Sequence, residues 1–560
     1  MSDAEPAKEK DARLAFFSLA AAAAVALLAY YASLAPHPVP ADAPLEEFSA
    51  YRAIEHIEKT ALEPHPFGSQ ANDAVCAYIV SKLEEYGIEY VIHVPARKMG
   101  GRSVEQARVV LARIPGTDST GAFAVDAHFD STPYGPGAAD DLSGIAAMLE
   151  AARALKAGKP LMNDVVFVFA DKEEARGGGG AQAFVEHPWF QDVAVLFGLE
   201  TRGTSGPGIM FETAPENGFV VRQMAQSRCH PRASSIMYDF YKRMPFGSDF
   251  GRYKKHVPGL NVAYIDDFCD YHTKLDKTEN VSLASLQHHG DYTLGLARRF
   301  GGIPLDNCRA PDAVYFNTIG SHMIVYPLTW SVPLTVLGLI LFAATLALGL
   351  ARRRLRVGGV LKAAAATAAI AVAEFLWILP FVVVVFVRYR EHALYRNGLY
   401  TAAFCLMAFG IFFAIVAFAG KRLRPQELLA GNLVWWAALL VLTQLGLPGG
   451  SYVALWPLVF GAFALGALIL APETDTPSSR RIAAVTVFAV PALTILTPAL
   501  VMFSYTLTAL AAPVFMMLAL LLAGLLTPQL ALIPSRGANR MALTTLALGI
   551  VLFGAAFATN

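Results

Sequence analysis

Charge is scarce in this 560-residue sequence: 16% of its residues are charged and 55% are hydrophobic. A water-soluble globular chain averages about 25% charged residues, so one ordinary soluble domain is excluded and a soluble part joined to a membrane part is implied. Cysteine is scarcer still. Five residues cannot make a disulfide-held scaffold, Cys405 lies inside an apolar run, and spacing does not pair Cys76, Cys229, Cys269 and Cys308. Net charge is also missing, because 45 basic and 45 acidic side chains cancel. The cancellation is not local: residues 1–300 hold 38 acidic and 29 basic side chains and residues 301–560 hold 7 and 16, so the parts carry −9 and +9. An acidic first part repels phosphates, which argues against a nucleic-acid partner. The run Gly177 to Gly180 lacks the Gly-Lys-Ser/Thr of a phosphate loop and reads as a turn before a helix.

Long apolar runs are abundant. Residues 14–35 form one of 22, preceded by Lys8, Lys10 and Arg13. It exceeds the ~7–15 residues of a signal-peptide core and reaches the ~20 needed to cross a bilayer. The reading is a cytoplasmic tail at 1–13, a retained anchor at 14–35 and an exported domain at 36–315. From 326 to 560 the composition implies a membrane domain of about eight transmembrane helices, with no Asp, Glu, Lys or Arg over 428–471 or 482–535. The last stretch is split around Ser504-Tyr505. Arg352–Arg354 with Arg356, Lys421-Arg422, Arg480-Arg481, and Arg536 with Arg540 fall on one side of this topology, the cytoplasm; Arg388, Arg390 and Arg396, partly offset by Glu391, fall on the other. Glu374, inside a span, is costly in lipid and a candidate for function or helix packing. Pro380, Pro491 and Pro498 are candidate kinks.

Within 36–315, the apolar stretches 122–125, 165–170, 193–199 and 260–265 read as buried strands, and 142–155 as a helix. The alternation implies an α/β domain, a mostly parallel or mixed sheet sandwiched by helices, fused to an all-α polytopic membrane domain. Ligands gather at the carboxyl ends of such strands. Here those ends run into Asp126-Ala-His128-Phe-Asp130-Ser131, Asp171-Lys-Glu173-Glu174, Glu200 and Asp270-Tyr-His272-Thr, while Asp140-Asp141 opens the helix. Any one acidic loop residue is ordinarily just solvated, but so many imidazoles and carboxylates on one rim suit zinc, and suit a pair of metals. Of the neighbours Glu173 and Glu174, one can bind metal while the other moves a proton.

These residues, with Gly137-Ala-Ala-Asp140-Asp141-Leu-Ser-Gly144, Ser248-Asp249, Tyr271-His272-Thr273 and an opening Pro64-His-Pro-Phe-Gly-Ser69 and Asn72, give the sequence its resemblance to a known family. It resembles the zinc aminopeptidases and carboxypeptidases with two co-catalytic metals, which include the glutaminyl cyclases, over about 65–290. The resemblance implies two zinc ions per chain: Asp140 bridging, Glu174 and His272 completing one site, His128 and Glu200 the other. It further implies Asp130 orienting His128 and Glu173 as general base. Glu200, where many members have Asp, is similar to the multi-spanning branch of vacuolar and endoplasmic-reticulum membrane metallopeptidases. Phe250 stands where soluble members often have His, which puts a substrate role there in doubt.

The implied activity is peptide hydrolysis by a membrane-bound aminopeptidase, with peptide substrate and lipid bilayer as partners. The implied location is a bacterial inner membrane with the catalytic domain in the periplasm, or a vacuolar or endoplasmic-reticulum membrane. The alternatives are a single-zinc glutaminyl cyclase and a peptide receptor or transporter that does no catalysis. His288-His289 is expected on a helix surface, away from any metal.

Overall fold

The computed structural model describes residues 4–95, 98–99, 102–103, 107–175, 178–244, 247–388, 396–472, 479–507 and 509–558. Gly177, Arg390 and Glu391, singled out above, lie outside them. The chain divides into two compact units, Leu34–Leu328 and a second made of Met1–Ser33 with Thr329–Asn560.

The first unit is built on a seven-stranded sheet: β1 (Glu89–His93), β2 (Val109–Ile114), β3 (Ala122–His128), β4 (Asp164–Ala170), β5 (Val193–Thr201), β6 (Ile209–Thr213) and β7 (Gly259–Tyr264). Their order is β1-β2-β4-β3-β5-β7-β6. The central four are parallel, and β1, β2 and β6 are antiparallel. Every residue of β3 and β4 is buried. Alternate residues serve opposite faces: Phe123, Val125, Phe167 and Phe169 enter one apolar cluster, Ala122, Ala124, Val166 and Val168 the other. Burial on both faces makes a strand a continuous apolar run without polar alternation.

The connection from β3 to β4 is the helix Leu142–Ala157, started by an Asp141 side chain that accepts from Gly144 N at 3.2 Å. The chain then runs from β4 to β5 on the other side of β3. This reversal places a crevice at the carboxyl end of β3, where open α/β sheets bind ligands. His128 pairs with Ala170 in register, so the segments after β3 and β4 leave the sheet side by side.

The strands overrun their expected ends. β3 includes His128 and β5 includes Glu200, because each bonds to a neighbour to that point. A further strand pair, Ala313–Asn317 with Met323–Pro327, follows the sheet and runs two residues past the expected start of the membrane domain at 326. The membrane helix therefore begins at Ser331.

In the second unit, nine helices among the described residues are long and apolar enough to cross a membrane. The helix expected to stop at Ser504 continues to Leu507. Ser504 and Thr506 hydroxyls donate back to Val501 O and Met502 O at 2.8 and 3.0 Å, so they do not break it. Pro380, Pro491 and Pro498 lie inside helices. Glu374 is fully buried, and neither carboxylate oxygen has a hydrogen-bond partner among the described residues.

Candidate metal centre

Residues from four strand ends and one helix start converge at the crevice. The Asp140 carboxylate stands between two imidazoles: Oδ1 is 3.6 Å from His128 Nε2, and Oδ2 is 3.2 Å from His272 Nε2. His272 Nε2 is also 2.7 Å from Glu174 Oε1, yet it makes no aligned hydrogen bond. His128, Asp140 and Glu174 each offer a ligand atom within 4.8 Å of the others. Glu200 joins them electrostatically from β5. An imidazole nitrogen aimed at two carboxylates without bonding to either is the arrangement a cation requires, and the nitrogen and oxygen donors fit zinc.

Asp130 touches both His128 and the segment after β4. His128 Nδ1 donates to the backbone O of Asp130 at 2.9 Å, while the nearer carboxylate oxygen is 3.6 Å away. The Asp130 carboxylate accepts from Glu173 N and Glu174 N at 2.9 and 3.1 Å, clamping the segment that carries both glutamates.

The electrostatics describe an excess of buried negative charge. Burial pushes Glu173 up, Glu174 to about 7, and Asp141, Glu200 and Asp249 well above the carboxylate range. Burial likewise acts against Asp140, but His128 and His272 hold it low. Desolvation would lower the two imidazoles. The carboxylates overcome it, raising His128 well above normal and His272 to about 9.

Two supporting residues, Asp276 and Arg108, carried no sequence signal. Asp276 accepts from Ala139 N at 2.6 Å and Asp140 N at 3.2 Å, fixing the loop that presents Asp140. Its position four residues after His272 gave no hint of this. Arg108 reaches Asp171 at 3.1 Å and also binds Asn72, which itself donates to Asp171 at 3.2 Å. Tyr271 stacks on His272 with centroids 3.7 Å apart. Lys172 and His272, at φ +69° and +58°, hold the left-handed backbone that costs non-glycine residues about 1–3 kcal/mol and clusters at functional sites.

Two readings are settled by burial. Phe250 is 1% exposed and belongs to the apolar cluster beneath the sheet, so it is a packing residue. His288-His289 is not at the surface: both are fully buried. The helix Leu283–Gly301 faces the core along that side. His288 is fixed between Gly208 N at 3.0 Å and His230 O at 2.9 Å.

Residues 109–297 match the model of Peptidase family M28. This segment is a peptidase family M28 domain. The chain is 27% identical over 308 residues to endoplasmic reticulum metallopeptidase 1 of Mus musculus, covering 50% of this chain and 34% of that protein. It is 30% identical over 280 residues to the vacuolar membrane protease of Candida tropicalis, covering 47% and 30%. The chain thus spans about a third of the length of these relatives. Solved structures similar to it include the Porphyromonas gingivalis glutaminyl cyclase (TM-score 0.37, 19% identity, covering 44% of this chain and 96% of that one) and an Aneurinibacillus aminopeptidase (0.37, 12%, 48% and 96%). Glu173, Glu174, Glu200 and His272 all fall inside the M28 domain, as do His128, Asp130 and Asp140.

Proposed function

We propose that the chain is a membrane-bound zinc metallopeptidase, an aminopeptidase, with two zinc ions held by His128 and Glu200 on one side, Glu174 and His272 on the other, and Asp140 between. The observation that carries this reading is the Asp140 carboxylate, whose two oxygens face two different imidazoles. Bound zinc would supply Lewis acidity and make water acidic enough to yield a nucleophile near neutral pH.

Glu173 supplies the proton chemistry. Its neighbour Glu174 lies 2.7 Å from His272 and joins His128 and Asp140 as a ligand candidate, whereas Glu173 interacts electrostatically with His128, Asp140 and His272. The Glu173 carboxylate takes a proton from water and returns it to the leaving amine, and its raised pKa suits a group that must do both. Asp130 holds the backbone from which it works. The arginine clusters between the membrane helices support a catalytic domain outside the cytoplasm, in a periplasm or an organelle lumen.

The test is metal analysis together with cleavage profiling on a broad peptide library. Two zinc ions per chain and release of amino-terminal residues are expected. Glu173→Gln should lower turnover by about 10²–10⁴-fold while keeping both metals, and Asp140→Ala should lose both. One zinc per chain with conversion of amino-terminal glutamine, and no hydrolysis, would instead make it a cyclase. No turnover of any peptide by the zinc-loaded wild type would leave a binding protein.

A further inference from the structure

At the arginine-rich end of the membrane helices lies a cavity of about 220 Å³, formed where Ser331–Ala351 and Tyr452–Leu470 end and Pro425–Gly446 and Ser479–Leu507 begin. Its polar lining is Arg354, Gln426, Arg481 and Gln529, and no carboxylate lines it among the described residues. Nε and Nη2 of Arg481 are buried and lack a hydrogen-bond partner among the described residues. Gln529 is 1% exposed. Its Nε2 donates to Thr486 Oγ1 at 3.1 Å, but its Oε1 has no partner there. Arg354 donates to Ala471 O at 2.8 Å, which fixes the opposite wall.

A guanidinium cannot shed its charge, and two of the three Arg481 nitrogens are shielded from water without a partner among the described residues. An anion would pair with them, and a hydroxyl on the same molecule would donate to Gln529 Oε1. Two helix amino termini, those starting at Pro425 and Ser479, add positive potential at the same place. Helix ends lie at the depth of lipid phosphates.

We infer that this cavity binds the headgroup of an anionic phospholipid, its phosphate on Arg481 and a headgroup hydroxyl on Gln529. The site is separate from the peptidase centre and stands whether or not that centre cleaves peptides.

The full chain would be reconstituted in nanodiscs of phosphatidylcholine with or without phosphatidylglycerol. Retained lipid would be counted by native mass spectrometry, and thermal unfolding followed in parallel. Wild type should retain phosphatidylglycerol over phosphatidylcholine and unfold at a higher temperature when it is present; Arg481→Gln should lose that preference by roughly tenfold. In pure phosphatidylcholine the variant should be at least as stable as wild type, because it removes a charge that has no partner among the described residues. Equal retention by the two proteins, or a variant destabilised equally in both lipids, would overturn the assignment. So would inorganic phosphate displacing the lipid at millimolar concentration, since the site would then be one for the free ion.

Discussion

Asp140 stays ionised although it is buried, chiefly because two imidazoles stand beside its carboxylate, with Thr201 Oγ1 donating to it at 3.4 Å. The opposite choice is made at His289. It is fully buried beside the Tyr264 ring, with centroids 4.6 Å apart, and neither ring nitrogen has a hydrogen-bond partner among the described residues. Burial lowers its pKa to about 3, from 6.5. Below pH 6.5 the unfolded chain therefore takes up a proton that the native chain refuses, and stability falls as pH falls, until about pH 3. His289→Phe removes this penalty. Its stability advantage over wild type should grow by about 1.4 kcal/mol per pH unit between pH 6 and pH 4, measured by thermal unfolding of both proteins in one membrane mimetic; a constant difference would refute it. A sequence showed His288-His289 as two polar letters on a helix. Only packing could show that the helix buries that face.

Among the elements, legibility followed burial. The four central parallel strands were readable as unbroken apolar runs, since both faces of the sheet are covered. The antiparallel flanks β1, β2 and β6 were not read: β1 is largely exposed, and Arg113 and Glu212 sit within β2 and β6. The proposed ligands could be picked out because four of them end or follow a readable strand and Asp140 opens the helix after one. The supports Asp276, Arg108 and the Asp130 clamp depend on contacts between distant loops, which no local pattern records. One such contact is testable. At Gly135 a Cβ would lie 2.0 Å from Thr273 O, so the loop before Asp140 can approach the loop bearing His272 only through a glycine. Gly135→Ala should push the two loops apart. Turnover should drop by about a hundredfold, as displacements near 1 Å do, and zinc should be lost at lower chelator concentration, with secondary structure unchanged by circular dichroism. Wild-type zinc retention in that variant would show that the two loops are positioned independently of this contact.

For the whole molecule, the charge asymmetry becomes a statement about sidedness. Most arginines of the +9 part, Arg388, Arg390 and Arg396 excepted, fall on one side of the expected topology, while the −9 part carries the acids of the candidate metal centre. Glu63 is exposed in the unit Leu34–Leu328. In right-side-out vesicles of a bacterial inner membrane, where the non-cytoplasmic face is outermost, Glu63→Cys should react with a membrane-impermeant maleimide added outside, well above the background of the parent's five free cysteines. Labelling only after permeabilisation would reverse the topology proposed here.

The strand order has one consequence in time. Because β3 lies between β4 and β5, the centre draws its residues from positions 128 to 272, and none of its halves can be assembled locally. Zinc would therefore recognise only a finished domain, and by mass action would add about 2.7 kcal/mol at a hundred times its dissociation constant. That energy should fall almost wholly on the rate of escape from the native state, leaving the rate of reaching it nearly unchanged. The ion would act as a latch on a finished fold, with no part in nucleating it.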